Sequence, residues 1–118
     1  MRIAAIADAE IPARDWQAVA LTSANAVKVL AGDPRLAGLT GLRAYVVGPA
    51  SAAAAREAGF HDIHLAEGGD LASLTRLIAA AGDPAAGPVL YLSGEQISGD
   101  LKGQLEAQGF SVHRAVLY

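Results

Sequence analysis

The sequence predicts a three-layer α/β sandwich on a mainly parallel sheet of about five strands, flavodoxin-like in subclass. Three observations predict it. Apolar runs of strand length alternate with segments of helical period throughout the chain. The runs are continuously apolar more than alternating, as in strands covered on both faces. The connections are short, so consecutive strands joined through a helix must pair in parallel with right-handed crossovers.

The elements follow in order. "MRIAAIAD" is strand-like, but the "AEIPARD" after it is too short for a crossover helix, so residues 1–12 read as an extended arm. A strand is expected over 16–22, "WQAVALT", and a helix over 24–31. The next strand covers 43–48, "RAYVVG". The helix after it, 50–58, is almost all alanine and can lie close on a sheet. A third strand covers 61–66, "HDIHLA". In the helix expected over 71–81, Leu71, Leu74, Leu77 or Ile78, and Ala81 recur as a stripe of helical period. Asp70 in "GGDLASL" reads as its cap. The fourth strand, 88–94, begins at Pro88, tolerated where a first residue need not donate to the ladder. Leu101 and Leu105 mark a helix over 98–108, and "SVHRAVLY", 111–118, reads as the last strand. "AGDP" stands after a helical pattern at 31–34 and again at 81–84. Gly32 and Gly82 suit left-handed helix ends, and Pro34 and Pro84 forbid continuation. Gly59 and Gly109 end the other two helices similarly.

Composition bounds the function. The 118 residues are the size of one domain, and 53% hydrophobic against 18% charged is too apolar for disorder. The net charge of −3, the lack of any Lys/Arg cluster and an aromatic content of 5% leave nucleic acid without electrostatic or stacking support. No window approaches the roughly 18 uninterrupted apolar residues of a membrane span, and Asp8 and Glu10 follow the first apolar stretch too soon for a secretory signal. Zero cysteines exclude disulfides and thiolate metal sites. A cytoplasmic protein is expected.

Three connections share one design: Thr22-Ser23-Ala24-Asn25, Gly48-Pro49-Ala50-Ser51, and Ser93-Gly94-Glu95. Each follows a strand, and open parallel sheets bind ligands outside the carboxyl ends of their strands. Helix N-termini there offer unpaired N–H groups and a partial positive charge, so several converging ends can hold a polyanion without a basic patch. The plainer alternative is that Ser23, Ser51 and Asp70 only cap helices. No G-x-G-x-x-G and no P-loop lysine is present, so no nucleotide cofactor is implied. His61, His64 and His113 show no metal-ligand spacing. Ser23 and Ser93 lack a base or an elbow motif, and Asp15, Glu67, Asp70 and Glu95 form no acid–base pair.

The segments "DWQAVALTSANAV" (15–27), "YVVGPASAAAAREAGF" (45–60) and "GPVLYLSGEQISGDLKGQLEAQGFSVHRAVLY" (87–118) resemble, in order and spacing, the signatures of the uroporphyrinogen-III synthase family. Ser51 stands where threonine is usual there, and Ser93 and Gly99 stand near positions where many members carry arginine. The resemblance implies an enzyme without a cofactor that cyclises hydroxymethylbilane to uroporphyrinogen III, inverting ring D, in tetrapyrrole (haem) biosynthesis. It implies two α/β domains with the site between them. By that comparison residues 1–118 are a single α/β domain, the middle of the larger chain. Residues 1–12 and 112–118 are then arms toward a missing second domain, without which the chain is inactive. The substrate carries eight carboxylates, so Thr22, Ser23, Ala24, Asn25, Gly48, Pro49, Ala50, Ser51, Ser93, Gly94 and Glu95 are the expected binding residues. Tyr118 matches the family's tyrosine, expected to assist departure of the hydroxyl, or else to pack at a hinge. The alternative is a non-catalytic flavodoxin-like binding or regulatory module. The terminal strands could also associate with one another or with a second copy, since unpaired edges invite pairing.

Overall fold

The structure, a computed structural model, describes residues 15–31, 37–94 and 99–117. Every apolar run in that range forms a strand: β1 Ala18–Leu21, β2 Arg43–Val47, β3 Ile63–Ala66, β4 Val89–Ser93 and β5 Val112–Val116. The helices between them are α1 Ala24–Ala31, α2 Pro49–Ala58, α3 Leu71–Ala81 and α4 Leu101–Ala107, with a 3-10 turn over Pro84–Ala86 before β4. The five strands make one sheet in the order β3-β2-β1-β4-β5, and all four pairings are parallel. The layered parallel architecture is as expected. The flavodoxin-like subclass is not, because that order is 2-1-3-4-5, whereas the described strands run 3-2-1-4-5 as in doubly wound dinucleotide-binding halves. Both orders share one alternation of strands and helices, so the alternation does not distinguish them.

The order puts β1 at the centre, and the continuously apolar strands are the innermost. Every residue of β1 and of β4 is buried. Val19, Leu21, Val46, Leu90 and Leu92 meet Ala26, Val27 and Leu30 of α1 and Ala52 and Ala55 of α2 on one face. On the other, Ala20, Tyr45, Val89 and Tyr91 meet Leu74 and Ile78 of α3 and Leu101 and Leu105 of α4. A fully buried leucine or valine stabilises by about 1.5–3 kcal/mol, so this two-sided burial is what holds the central strands. The outer strand β3 is covered less, and its Leu65 is exposed.

Several local expectations are corrected. Gly82 closes α3 in an extended conformation (φ −92°, ψ 175°), its N–H bonded to the Ile78 carbonyl, so it is not left-handed; Gly32 lies outside the described residues. Gly59 does adopt the left-handed conformation at the end of α2, and Gly109 has φ 92°. Ser51 caps nothing: α2 starts at Pro49 with Gly48 as its N-cap, and Ser51 is buried inside the first turn. Proline is well placed there because the first helical N–H has no partner anyway. Ser23 and Asp70 do cap, through the Asn25 and Ser73 amides. Residues 112–116, also read as part of an arm, form an edge strand paired with β4. The arm over 1–12 lies outside the described residues.

Candidate functional site

In a parallel sheet all strands present their carboxyl ends to one rim, and the register decides which residues stand level there. Leu21 at the end of β1 pairs with Val46 of β2 and Leu92 of β4, while Ser93 pairs with Val116 of β5. The next residues are therefore Thr22 on β1, Val47 and Gly48 on β2, and Ser93 and Gly94 on β4. Neighbouring strands lie about 4.8 Å apart, so the three polar turns are side by side, with Thr22 in the middle. Between β1 and β4 the chain reverses its direction of winding, and such a switch point opens the crevice where ligands of these sheets bind.

The turns differ in construction. After β1, Thr22 and Ser23 are half-buried, and Ser23 Oγ accepts from the Asn25 amide at 3.1 Å, which starts α1 over Ala24 and Asn25. Thr22 Oγ1 lies 3.5 Å from the hydroxyl of Tyr91, a buried residue of β4. After β2, Gly48 takes φ 82° and ψ 150°, a conformation open to glycine, and this bend aims α2 at the rim. Pro49 and Ala50 are exposed, and no side chain caps the first-turn amides of α2.

The third turn is not the helix N-terminus that the sequence suggests. Helix α4 begins only at Leu101, and its end is taken by the Asp100 carboxylate, which accepts from the Gly103 amide at 2.9 Å. The turn is held from the side instead. Ser93 Oγ donates to the Gly94 carbonyl at 2.9 Å, and Arg114 of β5 donates from Nε to Ser93 Oγ at 2.8 Å and from Nη2 to the Gly94 carbonyl at 2.7 Å. Glu95 and Tyr118, the remaining expected site residues, lie outside the described residues. Tyr118 follows Leu117, whose amide donates to the Ser93 carbonyl at 2.8 Å.

The rim continues past β2. Beyond Ala66 at the end of β3, Leu65, Glu67, Gly68, Ser73, Arg76 and Leu77 line an open hollow of about 420 Å³. Asp70 beside it accepts from the Ser73 hydroxyl and from the Ser73 amide, which together hold its carboxyl below the usual range. A separate polar cluster sits at the opposite, amino-terminal rim. Asp62 there pairs with Arg43 at 3.2 Å and His64 at 2.7 Å, and its carboxyl is also held low, first by Arg43 and then by His64. It has no part in the carboxyl rim. No group of three or more metal-ligating side chains occurs among the described residues, and no helix among them is long and apolar enough to cross a membrane.

Tyr91 and Arg114 are the residues that sequence reasoning missed. Tyr91 carried a signal, since a tyrosine inside the buried run "VLYLS" needs a partner for its hydroxyl. Arg114 carried a weaker one, a cation within an apolar strand. Finding what it touches required knowing that β5 pairs with β4.

The family model for uroporphyrinogen-III synthase HemD matches residues 2–118. The chain belongs to the uroporphyrinogen-III synthase family. No curated protein matched the chain in a search. Among solved structures, the chain is similar to the crystal structure of uroporphyrinogen-III synthetase from Helicobacter pylori, with 23% identity and a TM-score of 0.65 over 87% of this chain. At that identity the likeness shows the fold alone. The chain spans 45% of that structure's length.

Proposed function

We propose that this chain is one α/β wall of a uroporphyrinogen-III synthase, a lyase that closes hydroxymethylbilane to uroporphyrinogen III with inversion of ring D and release of one water. The family match over residues 2–118 carries this reading, and the level placement of the three turns supports it. The substrate's carboxylates suit the uncapped first turn of α2 and the start of α1, where each helix end favours an anion by about 0.3–1 kcal/mol. Thr22 and Ser23 add hydroxyl groups along the same rim, and Gly94 adds an amide, whereas the buried Ser93 hydroxyl is taken up within its own turn.

The chemistry asks little of side chains. Loss of the hydroxyl leaves an electrophilic azafulvene, and the substituted carbon of the terminal ring attacks it through a spiro intermediate. The protein's task is chiefly to hold a flexible chain in the reactive fold. Tyr118 is the proposed donor to the departing hydroxyl, since a phenol titrating near pH 10 keeps its proton at neutrality. A second α/β domain supplies the opposite wall.

Product analysis tests this. With the chain alone, hydroxymethylbilane is expected to close spontaneously to the type I isomer. A polypeptide that joins this domain to a second α/β half is expected to give type III, and much less of it as Tyr118→Phe. Type I alone from the joined polypeptide would refute the proposed activity, and type III from the isolated chain would refute the need for a second wall.

A further inference from the structure

We infer that Arg114 is a positioning residue of the carboxyl rim: it fixes the Ser93–Gly94 turn in the form that accepts an acidic ligand. The inference rests on the reading of the rim as a binding wall. Arg114 stands on β5 opposite Tyr91 and reaches diagonally toward the strand end. Its Nε and Nη2 meet two different acceptors, Ser93 Oγ at 2.8 Å and the Gly94 carbonyl at 2.7 Å. The Ser93 hydroxyl closes the ring by donating to that same carbonyl at 2.9 Å. Ser93 is 1% exposed, so these bonds form largely away from water, where hydrogen bonds to a charged group count for most.

Two consequences follow for the switch point between β1 and β4. First, the Gly94 carbonyl is turned toward β5 and accepts twice. A carbonyl oxygen left facing the crevice would repel a carboxylate; here its partial negative charge is taken up by the guanidinium. Second, a positive charge is fixed beside the turn without any basic residue in the turn itself. A lysine could supply the charge, but its single ammonium does not reproduce the rigid fork that holds two acceptors at once.

The test is titration of the 15N-labelled chain with uroporphyrinogen III under anaerobic conditions, comparing the parent with Arg114→Gln, Arg114→Lys and Ser93→Ala. The parent is expected to bind with amide shifts along the rim. R114Q is expected to bind roughly ten- to a hundredfold more weakly, the loss that follows from removing charge-assisted bonds. Its amide spectrum away from the rim stays unchanged. R114K is expected to bind nearly as weakly despite its charge, which separates positioning from simple attraction. Parental affinity in folded R114Q, or full rescue by lysine, overturns the inference and leaves the binding wall standing. A parent chain that does not bind overturns the binding wall and this inference with it. Should R114Q not fold, S93A decides, because it removes one acceptor and leaves the guanidinium–Gly94 bond. Weaker binding by S93A upholds the inference, and unchanged binding overturns it.

Discussion

Gln17 shows how one side chain can hold a loop far away in sequence. It precedes β1, yet its Nε2 donates to the Asp83 carbonyl at 2.7 Å and the Gly87 carbonyl at 2.6 Å, fastening both sides of the 3-10 turn that leads into β4. Gly87 belongs to the same junction: its φ is 125°, and a Cβ there would stand 2.6 Å from the Asp15 carbonyl. Replacing Gln17 with alanine removes the part-buried bond to the Gly87 carbonyl, while the Asp83 carbonyl keeps the Ala86 amide, and is expected to cost about 1–3 kcal/mol, measurable by urea denaturation. A loss under about 0.3 kcal/mol would show that water replaces the amide at no cost. Nothing in "DWQAVAL" announced this role, because it depends on which loop β1 passes. Asp70, whose bonds are local, could be read directly from "GGDLASL".

At the scale of elements the helices carry their own signals, and one makes a pH prediction. Asp70 caps α3 through the Ser73 amide at 2.8 Å, and its carboxyl titrates below the usual range because Ser73 hydrogen-bonds the ionised form. A group depressed in the folded state gives stability that is complete above its unfolded value, near 3.9. That stability is lost as pH falls through the lower folded value. Asp62 acts with the same sign, but it is more than half exposed and its pair with Arg43 is screened by solvent. Asparagine caps helices as well as aspartate does, so Asp70→Asn is expected to match the parent's thermal midpoint at pH 7. Below about pH 4 the variant should lose less than the parent. Parallel curves for the two proteins down to pH 2 would show that the cap does not contribute through its charge. The elements themselves were legible almost throughout, since apolar runs, the Leu71–Leu74–Ile78 stripe and Pro49 act over a few residues. Helix α4 starts later than the sequence suggests: the stretch from 98 looks helical by composition, but the first turn starts only after Asp100 can cap it. With that shift the third turn of the rim ceased to be a helix N-terminus.

For the whole molecule, layers and strand direction were legible and strand order was not. Short crossovers force parallel pairing, but they do not say on which side of β1 the fourth strand lands. The order β3-β2-β1-β4-β5 places the Thr22, Gly48 and Gly94 turns on neighbouring strands, and the β4–β5 pairing at its edge brings Arg114 to the Gly94 carbonyl. The sequence thus identified the polar turns one by one, while their assembly into a continuous wall is a property of the sheet. The measurement that tests this wall most directly is the map of backbone amide shifts when the parent chain is saturated with uroporphyrinogen III. Perturbations are expected at Thr22–Asn25, Gly48, Ala50, Ser51, Ser93 and Gly94, with Asp62 and His64 at the other end of the sheet unmoved. Shifts confined to that amino-terminal end, or none at all, would contradict it.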